Sequence, residues 1–474
     1  MLALDFNIWY NRLMGDNASG LPDQPWICLM KTSPLRSYID RELHLRPFMR
    51  LRHNQRIFNF GLHTGETRGQ REWRHFQKVF SKEFGIALPA ESQPFFRTQK
   101  DGLRVRIEKH SEFFSITLIF DDVVRKGRNL NGLFVADGAD LVPAALLRNA
   151  PSPVLVATWV ETIDDERDLQ PGDIATMFGH DNFAAARVGD GRAKVYHSFK
   201  LDNHPFIEGG FIRILVQNES LESRRLGRLV QRLVEIEQYR HFALLSLPLV
   251  RALSGELSGL EHDIAEVTQS MAVKEVEDTE EKLQRELTLL SRIMGNIERI
   301  SAQSAYRLSA TEAYAKIVAT RISEIREGRL EGFQKMEEFL DRRMTPAIRT
   351  YAAFGRRIEN LANRAQRSNT LLRTRIDMRI QLQNNLLLRS MEERAGMQLR
   401  LQETVELLSI AAITYYLVSL LSYFLGGIEQ DFVKAYKSML LTLAVPMIAG
   451  FLFIILRRVR RKLKQPEDKD GTLS

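Results

Sequence analysis

The chain has 474 residues, 44% of them hydrophobic and 27% charged, with a formal net charge of +8. That composition excludes wholesale disorder, and the basic surplus points to anionic surfaces such as lipid headgroups or nucleic acid. A single cysteine, Cys28, excludes an intramolecular disulfide framework and any cysteine-cluster metal site.

Residues 1–32 have no basic leader and no unbroken apolar stretch, because Asp5, Asn7 and Asn11 interrupt it; they read as a flexible N-terminal segment, not a secretory signal. Residues 33–220 are expected to form an α+β domain on the cytoplasmic side. Arg71 to Phe84 has a helical pattern. Leu103 to Phe120, Val154 to Thr162, Ala193 to Leu201 and Gly210 to Gln217 read as strands from their β-branched and aromatic content. Gly132 to Asp140 and Gly189 to Arg192 read as turns.

Residues 221–404 predict a coiled-coil-like stalk of long antiparallel helices. Apolar residues recur at helical spacing, as in Leu226, Leu229, Val230 and Leu233 and again in Leu283, Leu287, Leu290 and Ile293. A first helix is predicted over 221–272 with a kink at Pro248, and a second over 276–342. The third starts where Thr345 precedes Pro346, the order of an N-cap followed by proline at the first helical position. From Arg342 to Arg400 this helix holds thirteen arginines and no lysine, against the acids Glu359, Asp377, Glu392 and Glu393. Only Tyr351 and Phe354 interleave with those arginines, so no nucleic-acid partner is expected. The acids between Glu275 and Asp341 supply a partner for the arginines within a helical bundle.

Two apolar stretches follow, Val405–Gly427 and Ser438–Leu456, each close to the ~20 residues that cross a bilayer core. With a short outer loop over 428–437 they predict a transmembrane hairpin. The basic run Arg457, Arg458, Arg460, Arg461, Lys462 and Lys464 places the tail 457–474, and with it the N-terminal domain, on the cytoplasmic side, where these residues meet lipid headgroups. Within the first span Tyr415, Ser419, Ser422 and Gly426 recur at helical spacing, as a helix-packing stripe or a pore lining.

There is no GxxxxGK[ST], GxGxxG, GxSxG or HExxH, so neither a cofactor nor an enzymatic activity is expected. Two polar clusters stand out. Glu108, His110 and Glu112 would share one face of a strand by alternation, which suits a divalent cation or acid–base work, or a solvated strand face. Glu42, His44 and Arg46 form the second, ahead of Pro47. The identity of any metal is left open.

Several stretches together resemble a bacterial membrane-anchored family catalogued as domain of unknown function 3422. They are RELHLRPF (41–48), IEKHSEF (107–113), GRLVQRLVEIEQYRHFALLSLPL (227–249), LLRTRIDM (371–378) and RAGMQLRLQETVELLSIAAITYYLVSLLSYF (394–424). The chain departs from that pattern at Leu45, at Ile107, and at His197 to Lys200, where the family tends to carry a TDFR-like run. The resemblance implies membrane anchoring and a shared body, and it singles out Glu42, His44, Glu108, His110 and Glu112; it supplies no activity, and the expected location is the bacterial inner membrane. The layout is also similar to that of CorA-type magnesium channels, although Tyr423 to Gly427 stands where those carry Gly-Met-Asn.

The expected function is a non-enzymatic membrane scaffold or assembly protein. Its stalk would associate with further copies, and its cytoplasmic head would recruit a protein partner. The alternatives are an oligomeric cation channel or transporter, and a metal-dependent enzyme using the Glu108–His110–Glu112 face.

Overall fold

The computed structural model describes residues 33, 35–44, 47–85, 95–121, 132–135, 142, 148, 150, 152–165, 167–202, 204, 207–272, 279–427 and 431–463. In chain order the elements are α1 (Leu35–His44), β1 (Arg56–His63), α2 (Gly65–Phe84), β2 (Phe95–Lys100), β3 (Leu103–Lys109), β4 (Phe113–Phe120), β5 (Val154–Ile163) and α3 (Pro171–Phe178). There follow β6 (Ala184–Val188), β7 (Ala193–His197), β8 (Ile212–Asn218), α4 (Ser223–Leu244), α5 (Ser246–Ala272), α6 (Glu280–Ile325), β9 (Gly328–Arg329), α7 (Met336–Arg343), α8 (Thr345–Gly426) and α9 (Asp431–Leu463). The chain divides into two compact units, Met1–Ala265 with Ile293–Asn363, and Glu266–Arg292 with Arg364–Ser474.

The first unit is built on a nine-stranded mixed sheet in the order β2-β3-β4-β1-β5-β8-β7-β6-β9. Among the described strands, only the central β5–β8 pair is parallel. Because successive side chains leave opposite faces of a strand, β1 feeds two cores at once. Ile57 joins Ile119, Val160, Ile214 and Val216 beneath Leu229, Val230, Leu233 and Phe242 of α4, with Val318 and Ile322 of α6 and Phe339 of α7. Phe58, Phe60 and Leu62 point the other way, toward Trp73, Phe76 and Phe80 of α2 and Phe178 of α3. That second core is aromatic-rich; Phe58 lies 4.9 Å from the Trp159 ring and 5.6 Å from Phe211. At β1 residue 61 only glycine fits, since a Cβ there would meet Val156 Cγ1 at 2.5 Å.

The expectation of an α+β domain holds, but its extent changes. Residues 103–120 form two strands, because the chain turns at His110 to Glu112 and the His110 amide donates to the Phe113 carbonyl at 2.9 Å. Four strands were expected, and β1, β2, β6 and β9 are additional. Helix α4, expected as stalk, buries its apolar stripe on the sheet and belongs to the domain. The break comes at Leu245, not at Pro248, which lies in the first turn of α5, where a proline costs no backbone bond. The second stalk helix ends at Ile325, where Arg326 takes a left-handed φ of 50° and the chain turns into β9. Helix α8 does begin at Thr345.

In the second unit, the adjoining ends of α5 and α6 pack with α8. Met271, Leu283, Leu290, Ala365 and Leu372 are buried. Thr268 and Ser368 share a hydroxyl hydrogen bond of 3.2 Å, and Ser270 donates to Glu286 at 2.8 Å. Past Leu372 the described side chains of α8 are almost all exposed, so the three-helix portion is shorter than the expected 221–404. Among the described residues, three helical stretches are long and apolar enough to cross a membrane: Ser223–Ala272, Met336–Gly426 and Ser438–Ile455. Their most apolar windows are 33%, 6% and 6% buried.

Candidate functional site

The β3–β4 turn separates the residues expected to cluster. Only Glu108 sits on β3, which ends at Lys109, so strand alternation does not reach His110 or Glu112. Glu108 accepts from Arg106 Nη2 at 2.8 Å, and Arg106 also donates to Gln231 of α4. His110 stacks on Phe113 with centroids 4.1 Å apart. Glu112 is fully buried, and both of its oxygens accept from Arg307 of α6, one of them at 3.1 Å. Each carboxylate is thus claimed by a different arginine. Among the described residues, no group of three His, Cys, Asp or Glu side chains is placed to hold a metal ion. Glu42 and His44 fall on α1, their side chains outside the described residues, and Arg46 lies outside them altogether.

A more buried constellation, missed in the sequence, lies where α4 crosses the sheet. Glu237 is completely buried; its Oε1 is 3.1 Å from His197 Nε2 on β7, and Arg240 Nη2 reaches its Oε2 at 2.5 Å. His197 Nδ1 accepts the Phe199 amide at 3.1 Å, which leaves the Nε2 proton for Glu237. Burial pushes the Glu237 carboxyl up, but Arg240, with His197 and His241, outweighs it and holds the group well below the usual carboxylate range. Burial lowers His197, and burial together with Arg240 lowers His241 to about 4. At neutral pH the set therefore carries one negative and one positive charge and two neutral imidazoles. The next residue, Gln238, donates to Asn59 of β1 at 2.9 Å, and Asn59 donates to Ser115 and Thr117, each at 3.0 Å. Lys194 of β7, 1% exposed, is held 2.6 Å from Asp168 and 2.9 Å from Glu219. These groups are joined to one another by ion pairs and hydrogen bonds. They register helices on the sheet.

The exposed apolar surface is elsewhere, on α8 of the second unit. Leu382, Leu386, Leu387, Leu388, Met391, Met397, Leu399 and Leu401 are each 54–66% exposed. Leu386, Met397 and Leu408 recur every eleven residues, three helical turns apart, and so stack on one side. Arg379, Arg389, Glu392, Glu393, Arg394 and Arg400 share the same stretch, a charge density that bars it from hydrocarbon. Further along, Tyr415 and Gly426 are exposed and Ser419 and Ser422 half-buried; the less exposed side runs through Thr414, Val418, Leu421 and Leu425, rotated from the expected stripe. Arg457 and Arg458 are exposed near the end of α9. Arg460, Arg461 and Lys462 lie on its last turn, their side chains outside the described residues, and Lys464 is beyond them.

Residues 31–463 match the family described as protein of unknown function DUF3422, and the chain belongs to that family. No curated protein and no solved structure matches it, so the layout shared with CorA-type channels finds no support there.

Proposed function

We propose that this member of the DUF3422 family is a non-enzymatic scaffold of the bacterial inner membrane that assembles through α8. It is anchored by a hairpin of Val405–Gly427 and Ser438–Leu456, with the basic run after the second span on the cytoplasmic side. The observation that carries this reading is the exposed apolar stretch of α8 from Leu382 to Leu401. It is too charged for lipid and too apolar for water, and a patch of that kind marks a protein interface. Copies sharing a membrane hold their α8 helices parallel and at one height, so the same residues meet in register around a closed symmetry axis. The partner for α8 is therefore a second copy, and the sheet domain remains available to recruit another protein.

The test uses the single native thiol. In a Cys28→Ser background, Met391→Cys in native membranes should give disulfide-linked dimers on mild oxidation, and light scattering of the detergent-solubilised chain should return a discrete multiple of the 54.6 kDa chain. A chain that stays monomeric in both measurements overturns the proposal. Ion flux through reconstituted protein would favour the channel alternative.

A further inference from the structure

A cavity of about 640 Å³ in the sheet domain opens beside the outer strand pair and is walled by Phe48, Arg50, Arg97, Gln99, Arg104 and Arg224, with Pro47, Met49 and Thr98 completing it. Its position follows from the topology. Arg104 pairs with Gln99 across the β2–β3 ladder, and Arg97, two residues back along β2, shares their face. Further in, toward β1 and β5, that face carries the apolar residues that α4 covers. At the edge α4 has ended, and the same face turns to guanidinium groups.

Arg104 is accounted for. Its Nε lies 2.9 and 3.0 Å from the two Asp121 oxygens, and its Nη1 donates to the Arg50 carbonyl at 2.5 Å. Arg50, Arg97 and Arg224 are exposed, and among the described residues no carboxylate pairs with them. No acidic side chain is among the described residues lining the cavity. Arg224 adds a second anomaly. It stands in the first turn of the 22-residue α4, which has no acid in that turn, and its N-cap Glu222 makes no side-chain hydrogen bond to it. The N-terminus of a helix is its positive end and ordinarily attracts acids. Converging guanidinium groups on such an end raises the energy of the empty state and favours an anion with several acceptor oxygens, for which arginine forks are suited.

The wall is also built to close tolerance. The segment that brings Phe48 and Arg50 to the cavity is fixed by the Leu51 amide, which donates to the Ser223 carbonyl at 3.1 Å. It runs so near α4 that a Cβ on Gly227 would sit 1.7 Å from the Met49 carbonyl oxygen. Phe48 is itself held by Arg228, 4.7 Å above its ring.

We infer that this cavity binds a phosphate-bearing anion, seated on Arg50, Arg97 and Arg224. The chemistry is shared by a soluble phosphoester and by a phospholipid headgroup, and the test separates the two. Full-length protein in a zwitterionic detergent is titrated with sodium pyrophosphate by calorimetry, and in parallel with detergent-dispersed phosphatidylglycerol, following tryptophan fluorescence. The parent should bind at least one probe, with affinity falling as salt rises. Arg97→Gln and Arg224→Gln should each weaken that binding about tenfold. Both side chains are exposed and make no fold-bearing contact among the described residues, so an unchanged urea midpoint serves as the control. Binding of pyrophosphate alone assigns a soluble ligand, and binding of the lipid alone assigns a headgroup. Absence of binding to either probe, or binding that both variants retain in full, overturns the inference.

Discussion

Acidification from pH 7 to 5 should cost the sheet domain about 2 kcal/mol through His241 alone. Its imidazole has a folded pKa of about 4 against an ordinary 6.5, because burial and the Arg240 charge both oppose protonation. Below 6.5 the unfolded chain takes up a proton that the folded chain refuses, so stability is lost as pH falls, by about 1.4 kcal/mol per pH unit until about 4. The interval from 6.5 to 5 gives the quoted figure, and the 21% exposure of the side chain calls for only a modest discount. His197, also lowered, adds to the loss with the same sign. Glu237 acts later. Its depressed carboxyl contributes stability that is intact above its unfolded value near 4.5 and fades as pH drops below it. Urea unfolding of the full-length protein in detergent, followed by tryptophan fluorescence, measures this directly, because Trp9, Trp26, Trp73 and Trp159 all precede α4. His241→Asn keeps a donor for the Glu237 carbonyl, which the ring nitrogen contacts at 2.8 Å, and removes the titration. The variant should lose about 2 kcal/mol less than the parent between pH 7 and 5. Equal losses in the two proteins would refute the reasoning.

Arg307→Ala leaves the fully buried Glu112 without its charged partner and should destabilise the domain by about 3–5 kcal/mol in the same assay. Glu327, which accepts the Glu337 amide at 3.0 Å, has its carboxyl pushed up to about 7 by burial and by the nearby Glu337 charge. Its protonated form is the favoured one, so its contribution is full below about 4.5 and lost as pH rises through 7; Glu327→Gln should raise the unfolding free energy at pH 8 by up to about 3 kcal/mol and leave it unchanged at pH 4. Gly227→Ala drives a methyl group into the Met49 carbonyl and should cost about 1–3 kcal/mol, detectable as a lower melting temperature.

The parts of the fold legible in the sequence were those that a single contiguous pattern dictates. The apolar windows of α8 and α9 stand out because a bilayer core requires an unbroken run. Strand β5 was visible through its β-branched and aromatic content, and α2 from Arg71 onward through its helical pattern. The turn that splits 103–120 was hidden, since His110, Ser111 and Glu112 include neither glycine nor proline to announce it. Strand β1 was missed although Phe58, Phe60 and Leu62 alternate with Asn59 and Gly61, two residues that serve α4: one bonds Gln238, the other makes room beside Phe242. Strand β6, Ala-Ala-Ala-Arg-Val, carries the composition of a helix and is extended by its neighbours β7 and β9. The Glu237–His197 contact joins residues far apart in the chain, which no local spacing can reveal. The Glu108–His110–Glu112 grouping failed for a related reason, since the period of two assumed a strand that had already ended.

The sheet is closed at one edge by β9, only two residues long, which pairs with β6 after the whole of α6 has intervened. During translation β6 therefore emerges well before its outer neighbour exists. Until Arg329 has cleared the ribosome, the nascent domain displays an unguarded strand edge of the kind that recruits foreign strands. Everything needed to cap that edge lies upstream of α8, so the domain can finish folding while both apolar stretches of the chain are still to be made.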